Sequence, residues 1–173
     1  LLLKDSLRAT SVVAGSDEEF MGVSKSRRGH ISAPPSRVDI DLRVVPALRE
    51  ALRTATNRAI TSSCLVALAK IGRENAEFTL LPVFQQYLTS RDQEIRETAA
   101  LAMGISQRAA ATKTLIALAT DTAVGRELTR RARVDGRTRS FATYALGLIA
   151  YAHRDVGIRM PILKAVRSIL KDE

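Results

Sequence analysis

Tryptophan is absent from this sequence of 173 residues, aromatic residues make up only 4%, and Cys64 is its one cysteine. A single cysteine excludes a disulfide bond within the chain and favours a reducing compartment, so we expect a cytoplasmic location. No apolar run approaches the roughly 20 residues that span a bilayer, and no membrane partner is expected. The chain also starts without an initiator Met or a signal peptide, as a piece of a longer protein would.

Motifs that carry chemistry are lacking as well. Neither of the glycine-rich phosphate-binding patterns, G-x-x-x-x-G-K-[ST] and G-x-G-x-x-G, occurs. The two histidines, His30 and His153, belong to no cysteine, histidine or carboxylate pattern with the spacing of a metal site. The acidic run "GSDEEF" gives no sign of the burial that a general acid or base needs. The sequence therefore predicts no catalytic residue, no cofactor and no metal.

A repeated pattern of small residues is the most informative feature that is present. The stretch "IRETAALAMGIS" (95–106) aligns with "TRSFATYALGLI" (138–149) and, 35 residues earlier, with "ITSSCLVALAKIG" (60–72). Cys64 occupies the position of Ala99 and Ala142, so its thiol is expected to pack as a small apolar group. A spacing of three or four residues between these side chains places them on one face of a helix.

Prolines repeat at a matching interval. Pro46, Pro82 and Pro161 are separated by 36 and 79 residues, which fits the same unit length plus one insertion. Each unit is predicted to contain two helices, the first with proline in its opening turn, where the missing N–H does little harm. Ser90 or Asp92 is positioned to cap the helix that follows. No stretch alternates at the period of two that marks a strand, so we predict an all-α fold.

The small side chains also predict how the helix pairs assemble. One pair cannot bury its apolar face alone, and Ala, Gly or Cys at the crossings lets neighbouring backbones approach closely. We therefore predict an α-solenoid of about three and a half helix-pair repeats over residues 42–173. Residues 1–41 are predicted to be an N-terminal arm, with the composition of a loop or linker from residue 14 onwards. The start of the arm, "LLLKDSLRAT", is either the end of a preceding repeat or a poorly ordered terminus. The predicted units span residues 44–73, 78–107, 112–152 and 156–170, and the third carries an insertion at 121–136.

The pattern Arg-x-x-Ala-x-x-Ala-Leu/Met-Gly, preceded by "DQEI" or "DGRT", resembles the second helix of HEAT repeats. The similarity is greatest to the short bacterial kind, related to the repeats of phycobilisome lyases, and it covers residues 44–170. It implies a right-handed superhelix whose second helices form a concave face that binds proteins or other large ligands. It also implies a ladder that links neighbouring units through Asp92 with Arg96 and Asp135 with Arg139. Thr61 breaks this pattern in the first unit, so the ladder is expected to be incomplete there.

An arginine cluster in the predicted insertion is the main functional candidate. The formal net charge of the chain is +9, and six arginines from Arg126 to Arg139 face only two acidic residues in that stretch. Guanidinium groups suit carboxylate and phosphate, which makes the cluster a predicted partner-binding surface. Its predicted contact residues are Arg126, Arg130, Arg131, Arg133 and Arg137. If this stretch is helical, Arg126, Arg130 and Arg133 share one face. The alternative is that the arginines only keep a long turn in solution.

We expect a non-catalytic scaffold that holds an acidic protein partner on the concave face and the insertion. The alternative is a nucleic-acid-binding module that uses the same arginines to contact phosphates. Phe141, Tyr144 and Tyr151 follow the insertion; they either stack on bases or, as we expect of Phe141 and Tyr144, pack against adjacent helices. The resemblance to phycobilin lyases leaves an enzyme as a third class, but no bilin site is recognisable in the sequence.

Overall fold

The computed structural model describes residues 36–74 and 78–171. The chain divides into two units, Leu1–Leu42 and Arg43–Glu173, and most of the predicted arm, including "LLLKDSLRAT" and His30, lies outside the described residues. The end of the arm is helical and not a loop, with a turn at Arg37–Asp39 and a π-helix at Ile40–Val44. Ser36 starts this segment, because its Oγ accepts a hydrogen bond from the Asp39 N–H (3.1 Å) and the Asp39 carboxylate accepts one from the Ser36 N–H (3.3 Å).

Eight longer helices follow in the described residues, which contain no β-strand. They are α1 (Val45–Thr54), α2 (Arg58–Ile71), α3 (Leu80–Tyr87), α4 (Gln93–Ile105), α5 (Thr112–Ala119), α6 (Ala123–Thr129), α7 (Gly136–Ala152) and α8 (Val156–Ile169). None of the helices in the described part of the chain has the length and apolar character to cross a lipid bilayer. The all-α prediction is confirmed.

The helices pair in chain order, and the pairs stack on one another. α1 packs on α2, α3 on α4, and α5 on α7, while α6 is an extra helix that lies against α5. α4 contacts both α2 and α7, so the second helices of the three pairs are neighbours in a row. α8 packs on α5 and α7 as the first helix of a fourth unit. Each pair packs on the next pair, and the pairs do not surround a common core. The arrangement is therefore the predicted α-solenoid.

The small residues lie where the second helices meet. Ala99 and Ala142 are fully buried, and Cys64, at the equivalent position, is 6% exposed. A Cβ atom added to Gly104 would lie 2.5 Å from the Cα of Ala145 and 2.6 Å from its Cβ. Carbon atoms pack at about 3.5–4.0 Å, so α4 and α7 can approach this closely only with glycine at position 104. The predicted role of small residues in close helix packing is confirmed, and so is the burial of Cys64.

Polar side chains and one glycine terminate the helices. Asp92 caps α4, and its Oδ1 accepts from the N–H groups of Glu94 (2.9 Å) and Ile95 (3.4 Å). Gly72 ends α2 in the left-handed conformation, with a φ of 62°. Gly147 neither ends a helix nor permits a close contact between helices, since it lies inside α7 and an added Cβ would have nothing within 4 Å.

The predicted position of the third repeated proline is wrong. Pro46 and Pro82 lie in the first turns of α1 and α3, but Pro161 lies inside α8, at its sixth residue. α8 starts at Val156, where the predicted fourth unit starts, because Asp155 caps it, with its Oδ1 accepting from the Gly157 N–H at 2.7 Å. Proline at 161 therefore leaves the Gly157 carbonyl without its usual helical donor.

Candidate functional site

The insertion forms α6 and the loop after it, and Asp121 holds the two together. Its carboxylate accepts hydrogen bonds from the Nε (3.1 Å) and Nη2 (3.0 Å) of Arg126 and from the N–H of Val134 (2.8 Å), and the Nε of Arg133 lies 3.8 Å away. Chiefly because of Arg126, and then of the Val134 N–H, the pKa of Asp121 is lowered to about 2. Arg126 and Arg133 are therefore structural parts of the insertion.

α6 lies close against α5 because residue 125 is glycine. An added Cβ on Gly125 would overlap the backbone carbonyl of Ala117. Thr122 caps α6 with its Oγ1, which accepts from the Gly125 N–H at 3.3 Å. At the other end the buried Thr129 hydroxyl donates to the Gly125 carbonyl at 3.1 Å. The insertion is thus a folded element and not a flexible turn.

Two arginines of the cluster have no partner among the described residues. α6 ends at Thr129, and Arg130 takes the left-handed conformation, with a φ of 52°. The predicted common face of Arg126, Arg130 and Arg133 is wrong, because the helix stops before Arg130. The side chains of Arg130 and Arg131 are exposed and make no hydrogen bond or ion pair with a described residue.

Arg130 borders an open groove of about 540 Å³ between α6 and the end of α3. On the insertion side Val124, Glu127 and Leu128 also line the groove. The side that belongs to the second unit is lined by Gln85, Gln86 and Thr89. The groove therefore combines the Arg130 guanidinium group with amide and hydroxyl groups and with one carboxylate, that of Glu127.

Arg96 links the second unit to the third. Its Nη2 lies 2.5 Å from the Oδ2 of Asp135, and its Nη1 donates to the carbonyls of Ser90 (2.8 Å) and Arg91 (3.1 Å). The side chain of Arg96 is almost fully buried. A buried guanidinium group with three acceptors fixes the start of α7 against the start of α4.

Neither of the two pairs that the resemblance implied, Asp92 with Arg96 and Asp135 with Arg139, is formed as an ion pair. Asp135 bonds to the arginine of the preceding unit and not to Arg139, whose Nε donates to the carbonyl of Ala119 at 2.9 Å. Asp92 caps α4, and its nearest basic partner is Arg58 of the first unit, with 3.7 Å between Nη1 and Oδ2. The ladder thus runs from each aspartate back to the unit before it.

Arg137 covers a buried acid. Its Nη2 donates to the Oε2 of Glu97 at 2.9 Å, and the Glu97 side chain is almost fully buried while that of Arg137 is exposed. Since Glu97 belongs to α4 and Arg137 to α7, this is a second charged link between the two units. Four of the six arginines thus have partners within the described chain: Arg126, Arg133, Arg137 and Arg139.

The C-terminal ends of the second helices are also joined, which was not predicted. The Nη2 of Arg108 donates to the carbonyl of Gly72 at 2.6 Å and lies 3.4 Å from Glu74. The Nε2 of His153 lies 2.7 Å from the carbonyl of Gln107 and donates to it. These side chains recur just after the second helices, but their acceptors are backbone carbonyls, which leave no pattern in the sequence.

α7 has an exposed aromatic face. Ser140, Tyr144, Gly147 and Tyr151 follow one another at helical spacing and are all exposed, and we refer to these four residues as the α7 face. Tyr144 is 61% exposed and Tyr151 66%. The prediction that Tyr144 packs against an adjacent helix is wrong, because no described element covers this side of α7; Phe141, on another side, is half-buried.

The equivalent side of the earlier second helices is aliphatic. Val66 in α2 and Leu101 in α4 hold the repeat position of Tyr144, and both are half-buried. Large apolar groups therefore occupy one position in all three second helices, and the most exposed of the three is Tyr144 in α7. Among the described residues, no group of three or more His, Cys, Asp and Glu side chains could hold a metal ion.

Comparison with known proteins gives one result. A family model for HEAT repeats matches residues 45–136, more than half of the chain, from α1 to the end of the insertion. Comparisons with curated proteins and with solved structures give no match. The matched residues include the small-residue faces of α2 and α4 and also Gly104, which is the α4 side of the close crossing with α7. The chain therefore belongs to the HEAT-repeat family.

Proposed function

We propose that this chain is a non-catalytic scaffold that binds a protein partner on the exposed side of its second helices, next to the insertion. Protein interaction is the general role of HEAT repeats. The observation that carries the proposal is the α7 face, where Tyr144 and Tyr151 expose most of their surface. Tyrosine is enriched at protein interfaces, since it buries a large apolar ring and keeps a hydroxyl for hydrogen bonding.

The spacing on the α7 face favours a partner side chain between the two rings. Tyr144 and Tyr151 are two helical turns apart, about 10 Å along the axis. Gly147 lies between them, and nothing lies within 4 Å of its absent Cβ. The gap can therefore receive a side chain of the partner, and aromatic residues around a filled pocket commonly dominate the binding energy of an interface.

The unpaired arginines of the insertion, Arg130 and Arg131, favour an acidic partner. Arg130 and Arg131 have no acceptor in the described chain, and Arg130 also lines the groove beside α3. A carboxylate that reached either group would gain a charge-assisted hydrogen bond without displacing an existing partner. Arg126 and Arg133, by contrast, would have to leave Asp121.

Affinity capture with the full chain tests the proposal. The bait is the wild-type protein, the double variant Tyr144→Ala/Tyr151→Ala, or the control Ile60→Ala, an exposed apolar residue on a different side of the second helix α2. We expect the tyrosine variant to retain its helical circular dichroism and to lose at least about tenfold in affinity for the captured partner, or about 1.4 kcal/mol. The control should bind like the wild type. Equal capture by the wild type and the tyrosine variant would contradict the proposal.

Nucleic-acid binding through the same arginines is the alternative, and their pairing argues against it. Proteins that bind duplex DNA strongly contact on the order of 6–10 phosphates, whereas the cluster offers two free guanidinium groups. Titration with duplex DNA at about 50 and about 200 mM salt is expected to give only weak binding, with a Kd above about 1 μM at the higher salt. Submicromolar binding that is lost in Arg130→Ala/Arg131→Ala would support the alternative instead.

A further inference from the structure

α8 turns an apolar stripe away from the rest of the solenoid. Its inner side is buried through Ile162 and Ala165, where it packs on α5 and α7. Its outer side carries four large apolar residues: Val156, Met160, Leu163 and Leu170 are 68%, 54%, 44% and 70% exposed. Exposed apolar groups gathered on one face of a helix mark an interaction surface more often than single ones do.

The stripe has the spacing of a coiled-coil seam. Val156, Leu163 and Leu170 are seven residues apart, and Met160 and Arg167 lie four residues after the first two. These are the d and a positions of a heptad, and together the five residues form what we call the α8 seam. It extends about 21 Å along the helix, which is the geometry for a second helix that lies lengthwise against it.

Basic residues border the α8 seam. Arg159 occupies a g position and Lys164 an e position, and Lys171 follows the end of α8 seven residues after Lys164. Residues 156–171 contain no acidic residue. The side chains of these three residues and of Arg167 make no hydrogen bond or ion pair with a described residue. Unlike most arginines of the insertion, the cations of α8 therefore remain available to a partner.

We propose that the α8 seam docks an amphipathic helix of a partner protein, with apolar residues at its own a and d positions and Asp or Glu at its e and g positions. Charges at e and g select coiled-coil partners, and here they require acidic ones. A second copy of this chain, paired through α8, would place Lys and Arg against Lys and Arg. A lipid surface is disfavoured, because Arg167 interrupts the stripe and α8 has no aromatic residue to anchor it in the headgroup region.

The probe is a synthetic helical peptide of about three heptads, with Leu at a and d and Glu at e and g, which we call the Glu peptide. The control is the same peptide with Lys at e and g, the Lys peptide. Fluorescence anisotropy with the full chain measures both affinities. We expect the Glu peptide to bind at least about tenfold more tightly than the Lys peptide, with the difference shrinking as salt is added. The α8 seam uses no residue of the α7 face, so this test is independent of the proposed function.

Variants at exposed positions locate the binding. Leu163→Asp should weaken binding of the Glu peptide at least about tenfold, since the substitution removes an apolar contact and adds a charge of the same sign as the peptide's. Lys164→Glu/Lys171→Glu should reverse the preference to the Lys peptide. Val124→Asp, an exposed apolar residue of α6, is the matched control and should change neither affinity. Far-ultraviolet circular dichroism checks that each variant is folded.

Three results would overturn the proposal. The first is equal affinity for the two peptides in the wild type. The second is self-association of the wild type at micromolar concentration that Leu163→Asp abolishes, which would assign the α8 seam to a second copy. The third is binding to vesicles that contain phosphatidylserine, lost in Leu163→Asp, without any preference between the peptides, which would assign it to a lipid surface.

Discussion

Gly104 and Gly147 hold equivalent positions, 43 residues apart, and we expect alanine to have opposite effects at the two sites. At Gly104 the added Cβ would lie 2.5 Å from the Cα of Ala145 and 2.9 Å from its carbonyl oxygen. These are backbone atoms, so no side-chain rotation relieves the contact, and α4 and α7 must separate by about 1 Å. Overpacking typically lowers the free energy of unfolding by about 1–3 kcal/mol, and contact with backbone atoms places Gly104→Ala at the upper end of that range. The higher helix propensity of alanine offsets about 1 kcal/mol of this loss. The net loss for Gly104→Ala is about 2 kcal/mol.

Gly147→Ala is the matched control. An added Cβ there has nothing within 4 Å, so only the gain in helix propensity remains, about 0.5–1 kcal/mol of stabilisation. Urea denaturation followed by far-ultraviolet circular dichroism measures both free energies of unfolding. For a chain of this length 1 kcal/mol corresponds to about 2–4 °C, so the Tm should fall by about 4–8 °C in Gly104→Ala and rise slightly in Gly147→Ala.

A second substitution shows which atom opposes the new methyl group. Ala145→Gly in the Gly104→Ala background removes the Cβ of residue 145 but leaves its Cα at 2.5 Å, so we expect little recovery of stability. Close backbone contact at Gly104 would be refuted if the two single variants changed the free energy of unfolding in the same direction by similar amounts. In that case α4 and α7 would not cross at Gly104, and close backbone approach would not explain the repeated small residues.

Three further predictions concern single side chains. The pKa of Asp121 is lowered from 3.8 to about 2 in the folded protein. Its carboxylate therefore stabilises the fold at pH values above the unfolded-state pKa, and this stabilisation is lost as the pH falls through the folded-state pKa. Asp121→Asn should therefore be less stable than the wild type at neutral pH, with the difference vanishing between about pH 4 and about pH 2; a difference independent of pH would contradict this. Arg96→Ala should lower the free energy of unfolding by about 3 kcal/mol, because a buried guanidinium group with three acceptors is removed. Arg139→Ala removes one contact to a carbonyl and should lower it by about 1 kcal/mol. Equal losses would mean that the link through Arg96 has no special weight. Burial raises the pKa of the Cys64 thiol and shields it, so a thiol reagent should modify it far faster in denaturant than in the folded protein.

The solenoid could be predicted from the sequence because every unit imposes the same local requirement. A second helix that must lie against two others needs small residues at fixed positions, and Cys64, Ala99 and Ala142 show that requirement directly in the sequence. The place of Pro161 within α8 was less predictable, since two signals compete there. Proline at 161 favours a helix start nearby, but the cap at Asp155 decides the start one turn earlier.

The partners of the charged residues could not be predicted in the same way. Arg96 and Asp135 are 39 residues apart, and Glu97 and Arg137 are 40 apart, so these pairs depend on how α7 is placed against α4. Local pattern gives the charge of each side chain but not the distance between two helices. The exposure of Tyr144 has the same cause, because a helix in a stack has several sides and periodicity does not tell which side a neighbour covers.

The contacts that hold α6 and the loop after it in place do not depend on the unpaired arginines of the insertion. The hydrogen bonds of Asp121 join Arg126 and Val134, both within the insertion, and α6 rests on α5 through the backbone at Gly125. None of these contacts involves the side chains of Arg130 or Arg131. Its outermost residues can therefore be exchanged in evolution, or grafted by design, to alter what the protein recognises while the stacking of the repeats, and with it the stability of the whole array, stays as it is.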